Sequence, residues 1–296
     1  MAAIASGVEE SGTVAFAPAG DAAAIAVTAP RSVLSLVPTF LHRWQRQPAG
    51  DVAATIICRP TGQGIAVAAS VLPEGTCVAA DPMEAADIVA ASLAALAVRG
   101  KGIILPHAGA VDSPAGLILL LADTTGGKST LALTLAAAGW RLFGDDRLGL
   151  CREDGRSTGI ALGLSPKLRL PLPPSATGLA DFAAARASRR ETALTYLALG
   201  PEEQALAGTK AAVAACLLLQ RDGDDARLEA ATSAELVKML AESAAAPWLS
   251  AMEVLDAAVS HAGLACFRLH YREAAEATPV LMERFAAPPQ AGSDAL

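Results

Sequence analysis

An α/β fold organised around a phosphate-binding loop is what three features of this sequence predict. The apolar run 117–121 leads straight into A-D-T-T-G-G-K-S-T (122–130), and a helical stretch follows from Ser129 to Ala138, stopped by Gly139. A short strand at 141–143 comes next and ends in G-D-D-R (144–147); strand, loop, helix, strand is a βαβ unit. Residues 1–80 read instead as short apolar runs broken by Gly, Pro and Asp, at 23–28, 55–58 and 65–71, which is the pattern of small strands and turns. The expected organisation is a small N-terminal α/β region over 1–100 and a P-loop core over 101–296.

The elements follow in order. D-P-M-E (81–84) starts a helix: Asp81 caps it, Pro82 suits its first position and Glu84 completes a capping box. It should end near Arg99, with Gly100 beyond it. A strand at 102–105 leads into P-H-A-G-A-V. The run 117–121 is wholly apolar, as a strand buried on both faces should be. After G-L-S-P-K-L-R-L-P-L-P-P, a strand edge and loop, 181–199 is weakly helical. Buried and short strands are expected at 211–219 and 227–230. Thr232 and Glu235 form a second capping box for a helix at 234–244, and 249–262 is helical. C-F-R-L-H-Y (266–271) alternates, with Phe267, Leu269 and Tyr271 on one face. A last helix should follow Pro279, with a loose tail after Pro288.

Composition narrows the function. The 296 residues are 53% hydrophobic and 18% charged, enough for a sizeable core, but with only 4% aromatics that core rests on Leu, Val and Ala. A net charge of −7 argues against a generic nucleic-acid binder. Cys58, Cys77, Cys151, Cys216 and Cys266 are scattered without a C-x-x-C pair, which argues against zinc or a disulfide scaffold and fits a reducing cytoplasm. The start M-A-A-I-A-S-G-V-E-E lacks the basic residues of a signal peptide, and the most apolar helix is too short to span a membrane. No nucleic-acid or membrane partner is expected.

The loop carries the chemistry. Backbone N–H groups of Asp123, Thr124, Thr125, Gly126 and Gly127, with the helix N-terminus at Lys128, Ser129 and Thr130, would cradle phosphate. Lys128 would reach the β- and γ-phosphates and Ser129 would ligate Mg²⁺. Ala122 stands where the usual pattern has its first Gly, a problem only if the backbone there needs φ > 0 or very close approach. A glycine turn before a surface helix is the plainer reading of G-G-K-S-T; the flanking strand and helix weigh against it. Asp145 and Asp146 at a strand end suit a metal ligand and a proton acceptor for a hydroxyl, against the alternative of a polar turn. His107 also follows a short strand and falls near the loop if the strands are neighbours. His42, His261 and His270 show no grouping.

Taken together, I-L-P-H-A-G-A-V (104–111), the loop at 122–130 and G-D-D-R resemble the core of the HPr kinase/phosphorylase family, and look most similar to its HPr-kinase-related branch, which includes lasso-peptide precursor kinases. That family has a His after a strand, a G-D-S-G-x-G-K-S-type loop and an A-D-D-R-type acidic pair; His107, 122–129 and Asp145-Asp146-Arg147 match these in register. The close match covers about 50 residues. The resemblance implies a fold shared with phosphoenolpyruvate carboxykinase, with a mixed sheet and flanking helices. It also implies ATP and Mg²⁺, a hydroxyl-bearing peptide, protein or small-molecule acceptor, and self-assembly into a homo-oligomer. By carry-over Asp145 is the general base, Asp146 supports it or the metal with Ser129, Lys128 holds phosphate and His107 lines the site. Ala122 and Thr125 depart from the loop glycines. The family's later R-G-x-G-I-type segment is replaced by G-L-S-P-K-L-R-L, so phosphorylase activity and HPr as substrate are not expected; Lys167 and Arg169 there would meet phosphate or an acidic substrate. A nucleotide-binding regulatory or scaffold protein without catalysis is the alternative.

Overall fold

Short apolar runs near the N-terminus pair into one sheet. In a computed structural model describing residues 10–18, 23–123, 126–173, 175–222 and 225–287, the unit Met1–Ala97 contains β1 (Ser11–Ala17), β2 (Ile25–Pro30), α1 (Arg31–Phe40), β3 (Gln45–Pro48), β4 (Ile56–Thr61), β5 (Gly64–Ala69) and β6 (Thr76–Ala79). The sheet order is β3-β1-β2-β4-β5-β6, antiparallel throughout except for β2 against β4. Helix α1, not anticipated from the sequence, packs on β1 and β2. Its buried Val33, Leu34, Val37 and Phe40 have helical spacing, but Pro30 and Pro38 disguise it. Helix α2 (Pro82–Val98) starts as expected. The Asp81 carboxylate accepts from the N–H groups of Met83 (2.8 Å) and Glu84 (2.9 Å), and Glu84 accepts from Ala80 N–H (2.7 Å).

The unit Val98–Leu296 is organised by one long strand. Its elements are β7 (Ala108–Ser113), β8 (Gly116–Leu121), α3 (Lys128–Ala137), β9 (Arg141–Gly144), β10 (Gly149–Glu153), β11 (Arg156–Ile160), β12 (Lys167–Arg169), α4 (Thr177–Arg186), β13 (Ala187–Arg190), β14 (Leu194–Leu197), β15 (Lys210–Gln220), β16 (Arg227–Ala230), α5 (Ser233–Ser243), α6 (Ala251–Val259), β17 (Cys266–His270) and α7 (Ala274–Arg284). Strand β15 pairs parallel with β8 and with β17, and its N-terminal part pairs antiparallel with β11. Beyond β8 lie β7 and then β9, each antiparallel to its neighbour; β16 pairs antiparallel with β17. With β10 antiparallel to β11, five strands, β8, β9, β10, β15 and β17, point the same way. Their C-terminal ends and the N-terminal end of the reversed β7 share one sheet edge.

Both faces of this sheet are covered, which is why 117–121 is wholly apolar. Ile118 and Leu120 pack with Leu131 and Leu135 of α3 and Leu281 of α7. Leu117, Leu119 and Leu121 pack with Leu236 and Leu240 of α5 and Ala258 of α6. The capping boxes at Thr232–Glu235 and Ser250–Glu253 set the starts of α5 and α6.

Three expectations are corrected. Residues 181–199 are not one weak helix: alanine-rich α4 stops at Arg186, and β13 and β14 join β12 in a separate three-stranded sheet, as suits the Thr and Tyr at 195–196. The strand expected at 102–105 is a single bridge, Ile104 to Leu150. Helix α7 begins before Pro279 and carries that proline inside it. The tail after Pro288 lies outside the described residues. Among the described residues no helix is long and apolar enough to cross a membrane.

Candidate active site

Strand β8 delivers the chain at Ala122, and α3 begins at Lys128 with Gly127 as its N-cap. Thr124 and Thr125 lie outside the described residues. Gly126 N–H donates to Asp123 O (3.0 Å), closing the loop's second half. Gly127 has φ +88°, where a side chain is strained, and a Cβ there would lie 2.7 Å from the Tyr271 hydroxyl. That hydroxyl donates to Gly126 O (3.3 Å). Burial raises the Tyr271 pKa to about 12, so it remains a protonated donor.

Ala122 is not in the left-handed region; among the described non-glycine residues only Glu74 and Asp154 have positive φ. Its methyl therefore costs no backbone strain. It takes up room elsewhere: a Cβ on Gly126 would sit 2.5 Å from the Ala122 Cβ. The glycine missing at 122 is matched by one required at 126. Gly126→Ala should cost about 1–3 kcal/mol by overpacking, and adding Ala122→Gly should recover most of it. Urea unfolding of the single and double variants checks this; a double variant no more stable than Gly126→Ala would refute it.

Lys128 is buried, and its ammonium donates to Ala122 O (2.8 Å) and Asp123 O (3.2 Å). Burial lowers its pKa, while Asp146, Asp123 and Asp145 pull it back up. The two aspartates at the end of β9 have opposite surroundings. Asp145 is 3% exposed; its Oδ2 accepts from Lys167 N–H (2.9 Å), the Ser129 hydroxyl nearby favours its ionised form, and its Oδ1 is buried without a partner. Desolvation raises its pKa. Asp146 pairs with His107 Nε2 at 3.1 Å; that hydrogen bond is the main reason its pKa falls to about 2, against some desolvation.

A cleft of about 340 Å³ opens here, lined by His107, Lys128, Ser129, Asp146, Lys167 and Arg169 among others. Gly126, Gly127 and Thr130 also line it, while Asp123 is exposed and Asp145 lies beneath the wall. Lys167, Leu168 and Arg169 of β12 all line the cleft, with Leu168 only 1% exposed. His107 arrives from β7, whose reversed direction brings its N-terminal end to the loop's edge of the sheet.

The chain matches no protein-family model and no curated protein. Among solved structures it is similar to the Hpr(Ser) kinase/phosphatase from Coxiella burnetii. That likeness has a TM-score of 0.31 and 14% identity, over 62% of this chain and 93% of that one.

Tyr271 and Arg221, at the ends of β17 and β15, also border the loop and were not singled out as site residues. Arg221 Cδ would lie 3.3 Å from a Cβ on Gly127. The only sequence signal for either is its position just past a buried strand that runs parallel to β8. Among the described residues no group of three or more His, Cys, Asp or Glu could hold a metal ion. Mg²⁺ needs no such cage, since it is bound by one or two protein oxygens with water and substrate phosphate. The Ser129 hydroxyl and Asp146 carboxylate, both on the cleft, fit that need, and the unpartnered Asp145 Oδ1 adds negative potential behind them.

Proposed function

We propose that this chain is an ATP- and Mg²⁺-dependent kinase that transfers the γ-phosphoryl group to a hydroxyl of a peptide, protein or small-molecule acceptor. In this reading the unit Val98–Leu296 is an HPr-kinase-like core of the phosphoenolpyruvate carboxykinase type. The reading rests chiefly on Lys128, Ser129, Asp146 and His107 lining one cleft, with Asp145 directly beneath. The sequence resemblance named the same residues.

The loop N–H groups and Lys128 would bind and orient the phosphates. Mg²⁺, when bound, would neutralise charge on the phosphate oxygens. Asp145 is the general base: desolvation makes it the more basic of the two carboxylates, and paired groups with pKa values driven apart suit separate roles. It would take the acceptor's hydroxyl proton as the new O–P bond forms and the bond to the ADP oxygen breaks. At 3% exposure it would have to be uncovered before an acceptor hydroxyl could reach it. Asp146, held ionised by His107, would serve the metal. Lys167 and Arg169 would meet phosphate or an acidic group on the acceptor.

A second reading is a nucleotide binder without catalysis; the sealed Asp145 and the lysine bonded to its own loop favour it. Incubation with Mg²⁺, ATP and a set of hydroxyl-bearing peptides and small molecules separates the two. ADP release that depends on an acceptor, with a mass gain of one phosphoryl group on it, is expected. ATP binding by calorimetry with no product on any acceptor would favour the binder, and no ATP binding at all would sink both.

A further inference from the structure

Resting on the kinase reading, we infer that a second cavity, behind the loop, holds the nucleoside of the nucleoside di- or triphosphate. It measures about 370 Å³, within the range of about 300–1,000 Å³ typical of small-molecule sites. It shares Gly127 and Thr130 with the cleft. The first turn of α3 thus separates the two spaces, and a ligand with phosphates on the loop would continue over that turn into the second.

The lining matches a nucleoside rather than another phosphate. Its walls are mostly methyl groups, such as Ala137 of α3 and Ala274 and Ala275 of α7, which suit the faces of a flat ring. Two of the hydroxyls that line it can only accept. The Thr134 hydroxyl donates to Thr130 O (2.7 Å) and the Thr278 hydroxyl to Ala274 O (2.8 Å), so each offers lone pairs only. Pro279, inside α7, has no N–H to give to Ala275 O, leaving that carbonyl without its usual helical donor. Acceptors around an apolar slot suit the N–H edge of a base and the hydroxyls of a ribose. Arg221, which lines the slot beside Gly127, donates to Arg272 O (3.0 and 3.2 Å) and places a fixed cation where the chain of phosphates would begin.

Calorimetric titration with ADP and with pyrophosphate, both with Mg²⁺, tests this. Pyrophosphate reports on the loop and ADP on loop and slot together. Ala137→Trp fills the slot from α3, and Thr278→Trp fills it from α7. Each should weaken ADP binding at least about tenfold while changing pyrophosphate binding less than about twofold. ADP binding as in the wild type in both variants, or equal loss of both ligands in both, overturns the slot while leaving the loop's role standing. If the wild type binds neither ligand, the phosphate-loop reading falls and the slot with it.

Discussion

Lys128→Met is expected to lower ATP turnover by about 10³-fold or more, the scale set by losing a preorganised charge from a phosphoryl-transfer site. Methionine keeps the length and apolar volume of the stem, so the change isolates the ammonium. Lys128 is the cation inside the loop, buried against Ala122 O and Asp123 O, with Asp145 and Asp146 close enough to raise its pKa. Without it the phosphates would meet those carboxylates uncompensated, and two loop carbonyls would lose a donor, costing about 1–3 kcal/mol for each one left buried. Initial rates of ADP release and calorimetry with ATP report the effect. A variant with wild-type kcat/KM would remove Lys128 from the mechanism and the kinase reading with it.

Asp145→Asn should be slower by about 10²–10⁴-fold, as for a lost general base, yet more stable at neutral pH. Asparagine still offers an oxygen to Lys167 N–H but cannot take a proton. The stability change follows from linkage. Desolvation raises the folded-state pKa of Asp145 above its unfolded value, so the folded form binds more protons than the unfolded form in the window between them. The ionised group therefore destabilises the fold increasingly as pH climbs through that window, and contributes nothing below the unfolded value of about 3.9. The Tm of Asp145→Asn should exceed that of the wild type at pH 7, and the two should converge near pH 4. Asp146→Asn is the partner measurement. If it abolishes transfer while Asp145→Asn does not, the base is Asp146.

How much of this was legible in the sequence depends on how local each signal is. The βαβ arrangement was readable because 117–121 is apolar without interruption and Gly139 ends a helix-forming run. The Asp81 cap and the Thr232 capping box were readable because a cap needs only side chains three residues apart, although Glu84 accepts from Ala80 N–H rather than from that of Asp81. His107 and the Asp145–Asp146 pair were nominated from their places after short strands and Lys128 from the loop motif, and the sheet brings all of them to one edge. What escaped needs partners distant in the chain. Tyr271 reaches Gly126 across 145 residues, and the compensation between Ala122 and Gly126 depends on the loop's curvature. The opposite environments of Asp145 and Asp146 depend on which neighbour covers them, Lys167 and Ser129 for one and His107 for the other. Helix α1 and the break after α4 were hidden by proline and by alanine, which fits helix and buried strand equally well.

The bonds from Lys128 to its own loop bear on which anions the site accepts. An arriving phosphate does not find a free ammonium; it competes with two carbonyl oxygens already seated on it. Each contact it gains there is an exchange rather than a net addition. In the kinase reading a lone orthophosphate would make fewer such contacts than a chain of phosphates and would be the poorer competitor. A chain of phosphates would touch the loop, the helix start and the cationic β12 wall at once, and so compete better with the carbonyls. In the kinase reading, the self-bonded lysine would favour a chain of phosphates over a single one before any transfer.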